Sequence, residues 1–167
     1  MFTDKDMVQL KLYTEEYKQS IFSYNLSPQQ SVYTSTPVEA VKACEEDETK
    51  IPIVILYREE LAGFFILQCG GGVKGFSENE EAILLRAYSV DTNYQGKGIA
   101  QSSLNQLSAF VKKHYSDKKE IVLAVNHKNT IAQHVYKKCG FVDKGIRIMG
   151  KKGEQFVYHK DINEVIM

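Results

Sequence analysis

The chain has 167 residues, of which 43% are hydrophobic and 25% charged, a composition that suits one globular domain and excludes a disordered chain. Its 21 Lys and Arg residues balance 21 Asp and Glu residues, so no overall positive field draws it to nucleic acid or anionic membranes. The 3 cysteines form no CxxC pair and predict free thiols in a reducing compartment rather than a disulfide framework.

The sequence indicates neither a secretory signal nor a membrane span. Its first residues lack a basic segment followed by an apolar one. The longest apolar run, residues 51–57, is far shorter than the roughly 20 residues that cross a bilayer. We therefore expect a cytoplasmic protein with no membrane partner and no nucleic-acid partner, and a homodimer is an open option.

The first elements predicted along the chain are a strand and two helices. Apolar and polar residues alternate over residues 7–12, which indicates a half-buried strand. A helix is expected over residues 15–24, ending near Asn25 and Pro28. A second helix is expected to begin at Thr36-Pro37, because Thr is a good N-cap and Pro is tolerated in the first helical turn.

The rest of the chain predicts a mixed sheet covered by helices. Residues 51–57 and 61–69 are rich in β-branched and aromatic residues and predict an antiparallel hairpin, which a flexible glycine-rich stretch over residues 70–79 follows. The remaining predicted elements are strands at 82–90, 120–125, 141–148 and 154–160, and helices at 98–113 and 129–138. Their order is typical of an α/β (α+β) fold.

A glycine-rich turn lies between the strand that ends at Val90 and the helix after it. The turn reads Gln95-Gly96-Lys97-Gly98-Ile99-Ala100. Such a turn directs backbone N–H groups and the positive end of the helix dipole at one spot, which suits a phosphate or pyrophosphate. Gly96 and Gly98 lack the Cβ atoms that would keep an anion away, and Lys97 adds a positive charge. The alternative is that both glycines only shape a tight turn.

This turn resembles the [Q/R]-x-x-G-x-[G/A] signature of the GCN5-related N-acetyltransferase (GNAT) family. A second block of that family is matched by Val125-Asn126-His127-Lys128-Asn129, Ala132, Tyr136 and Gly140-Phe141. The resemblance is strong over residues 83–141, although Thr92 stands where a proline is common in the family. It implies a single-domain GNAT-like fold with a mostly antiparallel sheet, spanning residues 1–167 with a cofactor-binding core at about 82–141.

The resemblance implies acetyl-CoA as the cosubstrate and no metal. The strand residues Tyr88, Ser89 and Val90 would pair with the pantetheine arm. The loop residues that would hold the pyrophosphate are Gln95, Gly96, Lys97, Gly98, Ile99 and Ala100. Asn129 and Tyr136 are the matching residues of the second block. The histidines and cysteines show no HxxxH or Cys/His spacing, so a zinc site is not expected.

Acetyl transfer from a thioester to an amine needs a stabilised oxyanion and a proton for the departing thiolate. Tyr136 is our candidate general acid, because a phenol of pKa about 10 can protonate a thiolate whose thiol has a pKa of about 8 to 9. Its ring could equally be a packing aromatic. A backbone N–H near Val90 is the expected oxyanion donor by resemblance, and Asn129 is also a natural N-cap.

Several residues are candidates for the general base that deprotonates the amine. Glu81 is a candidate that would act through a water, and Tyr33, Tyr88 and His134 are further candidates. Cys139 as an acyl-accepting nucleophile is a separate alternative.

The predicted function is acetyl-CoA-dependent acetylation of a primary amine on a small molecule. The amine would attack the thioester directly in a ternary complex. The alternatives are a protein N-terminal or lysine acetyltransferase and a non-catalytic acyl-CoA-binding module. A nucleotide-binding or nucleic-acid-interaction protein is disfavoured, because the charges balance and neither a GxGxxG motif after the first strand nor a GxxxxGK[ST] motif occurs.

Overall fold

The computed structural model describes residues 7–163. Within that range, strands and helices alternate in nearly the order that the sequence predicts. The strands are β1 (Val8–Leu12), β2 (Lys50–Tyr57), β3 (Glu60–Gln68), β4 (Ala82–Val90), β5 (Glu120–Asn126), β6 (Val142–Gly150) and β7 (Gly153–Asp161). The α-helices are α1 (Lys18–Phe22), α2 (Pro28–Tyr33), α3 (Pro37–Glu46), α4 (Ile99–His114) and α5 (Thr130–Lys138).

The strands of the described residues form one 7-stranded sheet in the order β1-β2-β3-β4-β5-β7-β6. β4 and β5 are parallel, and the other neighbouring strands are antiparallel. This architecture confirms the predicted single-domain α+β fold with a mixed, mostly antiparallel sheet. No helix within residues 7–163 combines the length and the apolar character that a membrane span requires.

Both faces of the sheet are buried against helices. In β2, Ile53 and Ile55 belong to the apolar cluster that contains Leu104 and Leu107 of α4. Val54, between them, belongs to a second cluster with helices α1 and α3. Successive side chains of a strand point to opposite faces, so the apolar side chains of β2 pack against helices on both faces of the sheet.

Local sequence signals account for several boundaries. The β2–β3 hairpin turns on Arg58 (φ 50°) and Glu59 (φ 71°), and two left-handed residues match the twist of the flanking strands. Thr36 caps α3, and it forms a capping box with Glu39 as N3. Gly98 is the N-cap of α4, so that helix begins one residue later than predicted.

The segment before α3 differs from its prediction. Residues 15–24 form a 3-10 turn at Glu15–Tyr17 and the short helix α1, rather than one helix. This helical segment ends at Phe22, before Asn25 and Pro28 as predicted, but Pro28 begins a further helix, α2, that the sequence analysis does not predict. The side chain of Ser27 accepts a hydrogen bond from the Gln30 N–H, so a Ser-Pro pair starts α2 as the Thr-Pro pair starts α3.

The parallel strands β4 and β5 separate after a short paired stretch. Residues 82–84 of β4 pair with residues 120–122 of β5. Beyond them β4 continues along β3, with a bulge in which Ala87 has a φ of 53°, while β5 continues along β7. We call the resulting opening, between residues 85–90 and residues 123–126, the β4–β5 gap.

Candidate active site

The backbone of Val90 faces the β4–β5 gap. The N–H of the next residue, Asp91, donates to the carbonyl oxygen of Ala62 on the β3 side, over 2.8 Å. Because successive residues of a strand present their polar groups to opposite edges, the polar groups of Val90 point away from β3. The strand therefore ends with an N–H and a C=O directed into the gap.

Two side-chain amides contact these groups. The Val90 N–H donates to Oε1 of Gln30 over 3.0 Å, and Nε2 of Gln30 donates to the Val90 carbonyl oxygen over 3.0 Å. Nε2 of Gln95 also donates to this carbonyl, over 3.3 Å. The open edge thus pairs with an amide in the manner of an added strand. Gln95, predicted as a cofactor contact, directs its side chain at the strand.

The glycine-rich turn places backbone N–H groups next to this edge. Gly96 (φ 81°) and Gly98 (φ 76°) both adopt the left-handed conformation that favours glycine. A Cβ at either position would meet no heavy atom within 4 Å, so the turn opens onto free space. The first turn of the 16-residue helix α4 leaves its N–H groups without intrahelical acceptors.

Two depressions flank the turn and meet at Gly98. One has a volume of about 120 Å³ and lies toward the strand; its lining residues are Val90, Tyr94, Gln95, Gly96, Gly98, Ile99 and Ala100. The other, of about 230 Å³, lies along α4 and is lined by Lys97, Gly98, Gln101, Ser102 and Asn105. Each of the predicted loop residues therefore lines at least one of these two depressions.

Tyr136 projects from α5 into an aromatic cluster. Its ring makes edge contacts with Tyr88 on β4, 6.3 Å between centroids, and with Phe141, 5.8 Å between centroids. Its hydroxyl forms no hydrogen bond with the residues that the structure describes. Burial raises the pKa of Tyr136 well above its usual value, so the phenol stays protonated at neutral pH and is a weaker acid than an exposed tyrosine.

The other predicted cofactor residues have structural partners. The Tyr88 hydroxyl donates to the Ala100 carbonyl oxygen over 3.3 Å and also bonds the Ser103 hydroxyl, which ties β4 to α4. The Ser89 hydroxyl shares a hydrogen bond of 2.8 Å with the hydroxyl of Tyr24. Asn129 is the N-cap of α5, as its side chain accepts from the N–H of the third helical residue.

Glu81 is not brought to the gap. It is exposed and immediately precedes β4, whereas Val90 ends that 9-residue strand. At about 3.3 Å per residue the two are separated by roughly 30 Å, far beyond the reach of one bridging water. Of the further base candidates, His134 is exposed and Tyr33 is half-buried on α2. Burial raises the pKa of the Cys139 thiol, which disfavours its use as a nucleophile.

The sequence analysis does not predict two contributors to this region. Gln30 belongs to no predicted element, although Ser27-Pro28 just before it is a typical helix start. The carboxylate of Asp91 is buried and accepts from the N–H groups of Asn93, over 2.9 Å, and Asn25, over 3.4 Å. It fixes the start of the loop by bonding two backbone donors.

Comparison with known proteins decides the family. The profile described as "Acetyltransferase (GNAT) family" matches residues 14–141. The chain is 36% identical over 153 residues to the uncharacterized N-acetyltransferase YbbJ of Bacillus subtilis (strain 168), covering 91% of this chain and 96% of that protein. The chain belongs to the GNAT family. As a GNAT acetyltransferase it is an enzyme, of the acyltransferase class.

More distant relatives show which proteins share this fold. A Bacillus subtilis (strain 168) spermine/spermidine N(1)-acetyltransferase is 26% identical over 144 residues, 83% of this chain and 90% of that protein. The structure of AAC(6')-Ib in complex with paromomycin and acetyl-CoA superposes with a TM-score of 0.75 at 15% identity, covering 93% of this chain and 94% of that one. RimL, a ribosomal L7/L12 alpha-N-protein acetyltransferase solved with coenzyme A, gives a TM-score of 0.68 at 16% identity, covering 94% and 95%.

Proposed function

We propose that this GNAT enzyme transfers the acetyl group of acetyl-CoA to a primary amine of a small molecule, by direct attack in a ternary complex. The observation that carries the proposal is the open edge of β4 at Val90, next to the glycine-rich turn. Val90 presents a backbone donor and an acceptor that already hold the amide of Gln30 in strand-like fashion.

The residues around the gap fit acetyl-CoA. The open edge at residues 88–90 would pair with the amide-bearing pantetheine arm, as the Gln30 amide pairs with Val90. The N–H groups at the start of α4, with Lys97 beside them, would hold the pyrophosphate in the space that Gly96 and Gly98 leave open. Bound there, acetyl-CoA supplies an activated acyl group as a thioester.

The chain supplies a donor for the oxyanion and a proton for the thiolate. The Val90 N–H would stabilise the negative charge that develops on the thioester oxygen as the amine attacks. The Tyr136 hydroxyl, protonated and without a hydrogen-bond partner among the described residues, would give its proton to the departing sulfur. No covalent enzyme intermediate is needed, so a thiol such as Cys139 has no assigned role.

Support for a small-molecule amine comes from the relatives. A 26% identical relative is named for spermine and spermidine, and the AAC(6')-Ib neighbour was solved with paromomycin. The alternative acceptor is a protein N-terminus or lysine, since RimL shares the fold and is named for an N-terminal substrate. The fold likeness is compatible with both, so the acceptor class rests on the sequence relative.

An acetylation assay with matched acceptors tests the proposal. Purified protein with acetyl-CoA is offered polyamines, aminoglycosides and peptides with free N-termini or lysines, and thiol release is followed with a chromogenic disulfide. We expect turnover with at least one small amine and little with the peptides. Turnover with the peptides alone would move the enzyme to the protein-modifying class, whereas acetyl-CoA binding without turnover on any amine would favour a non-catalytic binding module.

A further inference from the structure

A side chain of α2 occupies the same backbone groups that the proposed reaction requires. The carboxamide of Gln30 accepts the Val90 N–H and donates to the Val90 C=O, both over 3.0 Å. We propose that Gln30 closes the acyl site of the free enzyme and competes with the thioester of acetyl-CoA for Val90. This inference rests on the proposed function, in which Val90 is the oxyanion donor.

The chain around Gln30 is fixed to the end of β4. The Tyr24 and Ser89 hydroxyls share a buried hydrogen bond of 2.8 Å, and the Thr92 N–H donates to the Asn25 carbonyl oxygen over 3.0 Å. These contacts hold the backbone before α2 against the strand. Opening the site therefore needs only a rotation of the half-buried Gln30 side chain and no movement of the backbone.

A carboxamide is well suited to this role. Val90 presents one donor and one acceptor to the gap, and a part-buried backbone group without a partner is costly. The carboxamide of Asn or Gln offers a neutral donor and a neutral acceptor bonded to the same carbon, which matches the N–H and C=O of one backbone residue. Gln30 thus satisfies the Val90 N–H, and shares the Val90 C=O with Gln95, until a ligand amide or carbonyl replaces it.

Competition of this kind lowers the apparent affinity for acetyl-CoA. For a ligand that binds only the open form, the apparent Kd equals the intrinsic Kd divided by the fraction of enzyme in the open form. Two hydrogen bonds between neutral groups correspond to an open form populated roughly 5- to 150-fold less than the closed form. After acetyl transfer, CoA has no thioester carbonyl to place on Val90, so Gln30 returns to the strand and favours product release.

Calorimetric titration of the full-length enzyme with acetyl-CoA tests the competition. Gln30→Met keeps the length of the side chain and removes its amide, and Gln29→Met is the matched control, since Gln29 is exposed on the same helix. We expect Gln30→Met to lower the Kd for acetyl-CoA roughly 5- to 150-fold and the Kd for CoA by a smaller factor, and Gln29→Met to change neither.

The outcomes separate the two proposals. If wild type and both variants fail to bind acetyl-CoA, the proposed function fails and the competition fails with it. If wild type binds and Gln30→Met binds no more tightly, the competition alone is overturned. If Gln30→Met lowers the Kd for CoA by the same factor as the Kd for acetyl-CoA, Gln30 does not compete with the thioester.

A measurement on the wild-type protein covers the case in which Gln30→Met does not fold. The side-chain amide protons of Gln30, followed by 15N NMR, should show contacts to Val90 in the free enzyme and lose them when acetyl-CoA is added. Contacts that persist in the acetyl-CoA complex would overturn the inference.

Discussion

Replacing Gly98 by Ala tests whether the turn before α4 holds the pyrophosphate. Gly98 has a φ of 76°, and an L residue in the left-handed region costs about 1–2 kcal/mol. In a protein of this size that cost lowers the Tm by roughly 2–8 °C. The new Cβ meets no protein atom within 4 Å, so the other expected effect of the substitution is to weaken the binding of a ligand in the open space beside Gly98.

The size of that second effect follows from ligand-induced stabilisation. At 100 times the Kd, acetyl-CoA should stabilise the wild-type enzyme by about 2.7 kcal/mol, or roughly 5–11 °C in Tm. If the methyl group weakens binding at least tenfold, the same concentration stabilises Gly98→Ala by no more than about 1.4 kcal/mol. Thermal unfolding with and without acetyl-CoA therefore measures strain and binding in one experiment.

Gly145 supplies the matched control. It lies in β6 with a φ of 88°, and a Cβ there also meets no atom within 4 Å. Gly145→Ala should lower the Tm by a similar amount and keep the full acetyl-CoA shift. If acetyl-CoA raises the Tm of Gly98→Ala as much as that of the wild-type enzyme, the turn does not hold the pyrophosphate.

Three further substitutions test separate parts of the structure. Tyr136→Phe keeps the ring contact with Tyr88 and removes the hydroxyl, so steady-state kinetics should show kcat reduced about 10²- to 10⁴-fold with acetyl-CoA affinity unchanged; an unchanged kcat would remove Tyr136 as the acid. Thr36→Ala removes the capping box with Glu39 and should cost about 1 kcal/mol in urea unfolding, with no change in acetyl-CoA binding. Tyr158→Phe deletes a buried hydroxyl that has no hydrogen-bond partner among the described residues. In urea unfolding, the free energy of unfolding should stay the same or rise by up to about 1 kcal/mol, and a clear decrease would show that the hydroxyl has a partner.

The elements that the sequence predicts well are those with local signals. The Thr36-Pro37 pair, the polar break between two apolar strands, and the glycines before α4 each act through neighbours in the chain. Lys112, Lys113 and His114 lie in the last turn of α4, as expected for a helix dipole. The loop of the candidate site belongs to this class, and its predicted residues line the same two depressions.

The parts that the sequence does not predict depend on pairing between distant segments. Nothing in residues 82–90 indicates that the parallel pairing with β5 stops after Leu84, because register is set by the neighbouring strands and not by the strand itself. The bulge at Ala87 carries no glycine to mark it. Glu81 is an acid next to the correct strand, but the 9-residue length of β4 separates it from Val90 at the other end.

The same opening creates both the site and the need for Gln30. If β4 and β5 stayed paired to their ends, the polar groups of Val90 would be bonded to β5 and would be unable to bind a ligand. Separating the strands frees them, but a part-buried N–H and C=O then lack partners until a ligand arrives. Gln30 from α2 bonds both groups, and Gln95 adds a longer bond to the C=O. The two hydrogen bonds of Gln30, between neutral groups, contribute only about 1–3 kcal/mol. A charged partner would bind the edge about twice as strongly and would be correspondingly harder for the thioester to displace.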